Sequence, residues 1–296
     1  MKRLLVVTGV SVLIGLSARA GVEFSSRVTD DQSREIALTK GVVDGPKARI
    51  DYLKSSADTG VKSGSYLLTK DGGKTIYMVD AENKSYLKMD IDKLASQVGD
   101  FMNAAGAFVR IKFSDPKFKT ILNERGPKMF GLPTRHVKTE TSYTVTAFVF
   151  GRRNVTSVSR QEEMWVTMKL KDSGMQIWTQ QRRIKTGNKG LDKMIESETK
   201  RIKGIPLKLK SVTTTKQSNG KSETSTVMTE ITSLKQVSVD AGKFEIPRDY
   251  KNNNEEIAAG INELKRQIKE NNDTKHKEGT PTESINKLMN GFFGGK

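Results

Sequence analysis

Residues 21 to 251 show alternating apolar and polar side chains with a period of two, interrupted by turn residues. The clearest example is the segment from Ser63 to Asp90, in which three alternating runs are separated by two polar turns. Successive side chains of a strand point to opposite faces of a sheet, so this alternation predicts strands with one buried face. Because Gly72 and Gly73 can adopt positive φ, we predict a two-residue hairpin turn there and a three-stranded meander overall.

Three later segments repeat the alternation, and two others have apolar residues at helical spacing. Asp92 to Ala105 and Asn188 to Ile202 each carry one apolar stripe, which predicts amphipathic helices. We therefore predict a mainly β (α+β) fold: a large curved antiparallel sheet that forms a half-open barrel, with a few helices covering its concave side. The apolar positions of the later strands are Ala107, Val109, Ile111 and Phe113, then Tyr143, Val145, Ala147 and Val149, then Met164, Val166, Met168 and Leu170.

The first twenty residues predict export. Lys2 and Arg3 precede an apolar stretch from Leu4 to Leu16, and Ala18-Arg19-Ala20 is a small-x-small cleavage site. This pattern is typical of a secretory signal peptide, so we expect residues 1–20 to be removed and a soluble periplasmic or secreted chain to begin at Gly21. The alternative is an uncleaved N-terminal anchor. The chain contains no cysteine, which excludes disulfides and lipidation at an N-terminal cysteine.

Residues 252–296 form a polar tail whose composition shifts to Asn, Glu, Lys and Thr, so we place a domain boundary after Lys251. Asn254 to Glu270 can form a short helix, and residues 271–283 have the composition of a linker. Such a tail can dock on the domain, enter a groove of a partner or touch a membrane surface. Its candidate interaction residues are Ile285, Leu288, Met289, Phe292 and Phe293.

The chain is strongly basic, with a formal net charge of +17. Lys2, Arg3 and Arg19 contribute three of these charges, so the exported chain carries 17 − 3 = +14. A basic protein favours anionic partners, and for an exported chain these are anionic lipids, lipopolysaccharide or cell-wall polymers rather than nucleic acid. The alternative is that dispersed lysines keep a β-rich surface soluble and block pairing between sheet edges.

Few residues of the chain are suited to catalysis. It has two histidines, His136 in a strand-like segment and His276 in the polar tail, and it lacks nucleophile-elbow, Walker A and dinucleotide-binding glycine motifs. Asp71, Asp80 and Asp90 lie at predicted strand ends, where carboxylates commonly accept turn amides. We therefore predict a non-enzymatic protein without a metal or cofactor, and spacing alone leaves a carboxylate-pair hydrolase as a further alternative.

A curved sheet can enclose either a ligand cavity or a filled core, and alternation is the same in both cases. If a cavity is present, its candidate lining is Val109, Ile111, Val145, Val149, Met164, Val166 and Met168.

Three landmarks carry a family resemblance. They are the meander from Gly64 to Tyr86, the step Gly204-Ile205-Pro206-Leu207-Lys208 and the closing phrase Phe244-Glu245-Ile246-Pro247-Arg248-Asp249-Tyr250-Lys251. Together they resemble exported bacterial proteins of unknown function related to the LolA and LolB lipoprotein carriers. The resemblance implies a curved sheet with helices over an apolar cavity that accepts acyl chains, and a closing phrase that ends the last strand.

Two functions follow from these expectations. The first is a non-enzymatic periplasmic binding or carrier protein for an apolar or acylated, anionic ligand, with at most peripheral membrane contact. The second is an envelope interaction or stress-sensor protein that binds a protein partner through the sheet edge or the C-terminal tail.

Overall fold

The computed structural model describes residues 21–56, 59, 61–104, 109–114, 116–149, 152–171, 173–177, 185–199 and 203–255. The predicted signal peptide, the 256–270 part of the predicted tail helix and the five candidate interaction residues of the tail lie outside these residues.

Thirteen strands and two α-helices make up the described chain. Their bounds in chain order are β1 Gly21–Thr29, β2 Glu35–Asp44, β3 Lys47–Ser55, β4 Tyr66–Thr69, β5 Thr75–Asp80, β6 Ser85–Asp90, α1 Ile91–Ala104, β7 Val109–Phe113, β8 Lys117–Arg125, β9 Arg135–Val149, β10 Arg152–Thr167, α2 Lys189–Thr199, β11 Ile205–Gln217, β12 Ser222–Val237 and β13 Lys251–Asn252.

All thirteen strands belong to one sheet, in the order β13-β6-β5-β4-β3-β2-β1-β12-β11-β10-β9-β7, and β8 pairs with β9 next to β7. Neighbouring strands are antiparallel except β13, which runs parallel to β6. No pairing between the described strands closes the sheet into a barrel. The predicted mainly β fold with one large antiparallel sheet and two helices is therefore confirmed.

The predicted meander is present as β4, β5 and β6, but its first turn is longer than predicted. Five residues, 70–74, connect β4 to β5, and both Gly72 (φ 72°) and Gly73 (φ 83°) have positive φ. The Asp71 carboxylate accepts the N–H of Thr75 at 2.9 Å, and the Thr69 hydroxyl accepts the N–H of Gly73 at 3.0 Å. These side-chain hydrogen bonds stabilise the wider turn.

Both helices were predicted within a few residues of their observed bounds. At the start of α1, Lys93 donates its N–H to the Asp90 carboxylate at 2.9 Å, and at the start of α2 Leu191 donates to Asn188 Oδ1 at 3.1 Å. Short polar side chains at these positions satisfy the free amides of a first helical turn. Both helices contact β7, and Gly190 of α2 lies close to the Phe113 side chain.

One face of the sheet, here called face one, carries the main core around the fully buried Phe24 ring. Phe24 pairs with Gly41, and a Cβ on Gly41 would overlap the ring, so glycine is required there for close packing. The core residues are Val22, Phe24, Val43, Ala48, Ile50, Leu170, Met175, Ile205, Leu207 and Ile231.

The strand predicted to continue to Leu170 ends at Thr167, which corrects the sequence-based expectation. Thr167 pairs with Ile205, the first residue of β11, so a longer strand would have no partner in β11. The chain instead turns, and Leu170 and Met175 pack into the core of face one. Leu170 is thus buried as predicted by its apolar character, but in a turn.

The opposite face, face two, has a second core under the chain segment 239–250. Phe244, 1% exposed, ends a short 3-10 helix (Ala241–Phe244) and packs with Val42, Tyr66, Leu68 and Val79. The closing phrase therefore does not end a strand, contrary to what the family resemblance implies. From its last residue, Lys251, the short strand β13 pairs with β6, and the Asn254 side chain accepts the N–H of Lys88 at 2.8 Å and donates to its carbonyl at 2.6 Å.

Candidate functional site

A cavity of about 300 Å³ lies on face two, between the first three strands and the 3-10 helix. Small-molecule sites typically have volumes from about 300 Å³ upward, so this cavity suits a small ligand or one end of a larger ligand. Its lining contains three cationic and two anionic side chains. The lining residues are Glu23, Lys40, Gly41, Val42, Arg49, Asp51 and Lys243.

Strand register brings these charges together. Glu23 pairs with Val42 and Val42 with Arg49, while Lys40 pairs with Asp51, so β1, β2 and β3 present them on one face. Lys243 comes from the 3-10 helix, whose first turn is held by a 2.9 Å hydrogen bond from Gly242 N–H to Asp240. The cavity thus joins residues that are up to 220 positions apart, from Glu23 to Lys243 (243 − 23 = 220).

Arg49 is the most rigidly held cation of the cavity. Its Nη2 donates to Asp51 Oδ1 at 2.7 Å, and its Nε lies 3.0 Å from the same oxygen and 3.1 Å from Asp51 Oδ2. Its guanidinium carbon lies 3.8 Å from the centre of the Tyr66 ring. Burial raises the pKa of Tyr66, while the neighbouring Arg49 opposes the rise. A guanidinium clamped in this way is positioned before a ligand arrives.

The two lysines are held more loosely. Lys40 Nζ lies 3.5 Å from one oxygen of Glu23 and Lys243 Nζ lies 4.0 Å from the other, both beyond a strong hydrogen bond. Their side chains are about half exposed, at 53% and 50%. An incoming anion can therefore pair with both lysines at little structural cost.

The residues predicted to line an apolar cavity fall into two groups. Met164 pairs with Val137 near the start of β9, whereas Val145 pairs with Thr156, eight residues further along β9 or about 26 Å away. Met164 (3% exposed) and Val166 (6%) are buried. Met168 is 48% exposed and follows the end of β10, so it does not share their buried environment.

The second group lies at the far end of the β9–β10 hairpin. Ile111 pairs with Ala147, and Val109 with Val149, so β7 and β9 bring these positions together with Val145. Ile111 and Val145 are half-buried. Between the two groups, face one carries polar residues of β9 and β10, namely Thr139, Thr141, Arg160 and Glu162.

His136 is a partly exposed strand residue, as predicted. Its ring stacks on Trp165, with centroids 4.7 Å apart and planes inclined by 9°, and its Nε2 lies 2.7 Å from Glu163 Oε1. Burial opposes ionisation of Glu163, but hydrogen bonds from His136 and Lys138 outweigh it and lower the pKa of the carboxyl. On the neighbouring strand β11, Lys208 pairs with Trp165, and its Nζ lies 5.4 Å from the centre of the Trp165 ring. These contacts form a polar cross-strand row.

Two of the three strand-end carboxylates, Asp71 and Asp80, accept turn amides as predicted, whereas Asp90 accepts an amide in the first turn of α1. Asp71 accepts from Thr75, and Asp80 accepts the N–H of Asn83 at 3.0 Å. Burial opposes ionisation of Asp71 and Asp80, but these hydrogen bonds outweigh it and lower the pKa of both. Within the described ranges, no group of three His, Asp or Glu side chains is placed to hold a metal ion.

Sequence reasoning missed the charged cavity. Opposite charges on consecutive strands, such as Lys40 in β2 and Asp51 in β3, are a signal that can be searched for. Their meeting point, however, depends on strand register and on the 3-10 helix that supplies Lys243.

A family model described as a domain of unknown function, DUF4412, matches residues 151–250. No curated protein matches the chain. A structure of PNGF-II aligns over 79% of this chain with 10% identity and a TM-score of 0.33, and the aligned part spans only 30% of PNGF-II.

A Parabacteroides distasonis protein provisionally named as a lipoprotein aligns over 73% of this chain and 95% of its own length, with 9% identity and a TM-score of 0.25. The relationship to LolA and LolB stays a prediction. Neither helix in the described part of the chain has the length and hydropathy of a membrane span.

Proposed function

We propose that this chain is a non-enzymatic envelope binding protein that holds an anionic group, a carboxylate or phosphate, in the cavity between Lys40, Arg49 and Lys243. The observation that carries this proposal is the convergence of three cations on one open cavity of about 300 Å³, where they outnumber the two carboxylates of Glu23 and Asp51. Charge-assisted hydrogen bonds to carboxylate or phosphate are roughly twice as strong as neutral ones.

The geometry favours an anion over a neutral ligand. Arg49 is fixed by Asp51 and Tyr66, whereas Lys40 and Lys243 share Glu23 at distances that leave both ammonium groups able to turn toward a ligand. Arg49 offers a planar donor and the lysines offer mobile point charges, a combination suited to phosphate or carboxylate oxygens.

The anionic group can belong to a free small molecule or to the head of an acylated one. The cavity volume suits the head group, and carriage of an acyl chain requires additional apolar surface. We propose the acylated ligand as the carrier form of this function, with the basic net charge of the chain supporting an anionic head group.

The proposal is tested in two steps. Native mass spectrometry with lipid extraction on the full chain, purified from its own envelope fraction, shows whether an acylated species is bound. Calorimetric titration then compares inorganic phosphate with an anionic single-chain lipid below its micelle concentration. We expect Arg49→Gln and Lys243→Gln each to weaken binding about tenfold or more.

Lys62→Gln is the matched control, because Lys62 is an exposed lysine paired with Glu82 away from the cavity. Tight binding of the lipid with weak binding of phosphate supports the carrier form, and equal binding of both supports a small-anion protein. Absence of binding to either probe, or equal losses in Lys62→Gln and Lys243→Gln, contradicts the proposed function.

One observation favours the second candidate function, an envelope protein that binds a protein partner. Eight of the nine residues of β8 are exposed, and among the described strands β8 pairs with β9 alone. An exposed strand at the edge of a sheet can accept an extended segment of a partner. Ile121→Lys in β8 would then abolish capture of that partner and leave phosphate binding unchanged.

A further inference from the structure

Beyond the proposed ligand cavity, we infer that the end of the sheet where β9 begins and β10 ends is a contact surface for an anionic membrane. Two exposed apolar side chains and four exposed lysines meet there. We call this surface the basic tip, and its residues are Lys128, Phe130, Met168, Lys169, Lys171 and Lys203.

The first part of the basic tip is the turn that closes the β8–β9 hairpin. Met129 and Leu132 exchange two backbone hydrogen bonds of 3.0 and 2.9 Å, which leaves Phe130 and Gly131 as the two turn residues. Phe130 has φ 50° and Gly131 has φ 75°, so a bulky aromatic residue is held in a left-handed conformation that usually favours Asn or Gly.

This turn presents the Phe130 ring to solvent. Met129 and Leu132 pack against the core of face one, while Phe130 between them is 42% exposed. The Thr134 hydroxyl further fixes the turn by donating to the Pro127 carbonyl at 2.6 Å. The turn is firmly anchored, yet it holds Phe130 in an unfavourable backbone conformation and exposes its ring. This combination points to a contact made by the ring.

The second part of the basic tip is the turn after β10. Val166 pairs with Arg135, and Thr167 pairs with Ile205, so β9 and β11 begin beside the end of β10. Met168, 48% exposed, follows directly, and Gly204 lies against its sulfur. The topology therefore places Met168 and Phe130 at the same end of the sheet.

Charge decides which partner fits this surface. At this end of the sheet, segments 125–138, 164–171 and 203–210 contain no Asp or Glu, and Glu124, Glu163 and Asp172 flank the first two of them in the chain. Lys128, Lys169, Lys171 and Lys203 are exposed, and none of them forms an ion pair with another described residue. Apolar side chains flanked by lysines combine insertion between acyl chains with attraction to anionic head groups.

The test uses co-sedimentation of the full chain with phosphatidylcholine vesicles, with and without phosphatidylglycerol. We expect binding only to the anionic vesicles and a marked loss in high salt. Phe130→Asn removes the ring while Asn tolerates the left-handed backbone, so the turn is kept. Combined with Met168→Ser, it is expected to weaken binding about tenfold or more.

Lys169→Gln with Lys171→Gln is expected to weaken binding by about twenty-five-fold, since each lysine near an anionic surface contributes about a fivefold gain. Phe130→Leu, which keeps an apolar side chain, should retain most of the binding. Leu53→Ser is the matched control: Leu53 is 56% exposed on β3, and four strands separate β3 from β10.

Several results would overturn the inference. They are absence of binding to anionic vesicles, equal binding to neutral ones, or unchanged binding after the Phe130 and Met168 substitutions. Phe130-dependent binding to soluble polyglutamate in place of vesicles would assign the basic tip to an acidic protein partner. Circular dichroism spectra and melting temperatures of all variants separate loss of binding from loss of fold.

Discussion

Strands β2 and β8 belong to one sheet, yet other parts of the chain cover their side chains to very different extents. In β2, the adjacent residues Val42 and Val43 are both buried, one against the segment 239–250 and one in the core around Phe24. In β8, Leu122 is the one residue that is not exposed. Adjacent buried residues require cover on both faces, and the comparison shows that local strand formation does not determine how much of a strand is covered.

The edges of the sheet differ in the same way. At the β6 edge, β13 adds a short parallel strand and the Asn254 amide pairs with both backbone groups of Lys88. At the β8 edge, Ile121 is the extra residue of a bulge and Lys117 and Lys119 are exposed. Chain covers the β6 edge, whereas a bulge and charges limit nonspecific pairing at the β8 edge without covering it.

The comparison is tested most severely by truncating one apolar side chain in each region. Phe24→Ala removes a fully buried ring, so we expect the free energy of unfolding to fall by about 3–5 kcal/mol. Ile121→Ala removes a side chain that is 53% exposed, and we expect a change within about 0.5 kcal/mol. Urea denaturation followed by circular dichroism measures both, and similar losses would contradict the difference in cover.

Two pairs of hydroxyl groups, one buried and one exposed, test the same difference in cover with a smaller expected loss of stability. The Ser26 and Thr39 hydroxyls are buried and 2.7 Å apart, so Ser26→Ala leaves Thr39 without its partner and should cost about 1–3 kcal/mol. The Thr214 and Thr224 hydroxyls are exposed and 3.0 Å apart, so Thr214→Ala leaves a hydroxyl that water can satisfy. Equal changes in the urea midpoint for the two variants would show that the first pair is hydrated.

The smallest expected effect is the pH dependence of the turn at Asp71. Hydrogen bonds lower the pKa of Asp71 in the folded chain against the opposing effect of burial, so its stabilisation is present above the unfolded pKa, near pH 4. This contribution is lost as the pH falls through the lower folded pKa. Asp71→Asn should therefore lower the melting temperature by about 2 °C or less at pH 7, with a smaller difference below pH 4.

Asn219, in the turn between β11 and β12, is the matched control, because its neutral side chain accepts the Lys221 N–H at 3.0 Å. The effect of Asn219→Ala on melting temperature should not vary between pH 7 and pH 3. An Asp71→Asn difference that grows on acidification would have the wrong sign for a carboxyl with a lowered pKa.

Much of the fold was predictable because the signals are local. The meander, both helices and the Asn219-Gly220 turn follow from alternation, helical spacing and turn chemistry, each set within a few residues. The end of β10 was not predictable, since Met168 and Leu170 continue the alternation and only the position of Ile205 opposite Thr167 ends the strand.

The candidate site was less predictable than the fold. His136 and the strand-end carboxylates Asp71 and Asp80 have the roles that their sequence neighbours indicate, because those roles depend on contacts within a turn or between adjacent strands. Lys243 could not be assigned to a cavity with Lys40, because the two lysines are brought together by a segment that returns over the sheet after β12.

Local sequence signals are sufficient to identify a basic, cysteine-free, mainly β chain with two amphipathic helices, since period and composition act residue by residue. Tertiary structure alone decided that Val42 and Val43 are buried on opposite faces, that Lys40, Arg49 and Lys243 converge, and that Phe130 and Met168 share one end of the sheet. Those juxtapositions depend on strand order and register, which couple residues distant in the chain and leave no periodic signal in it.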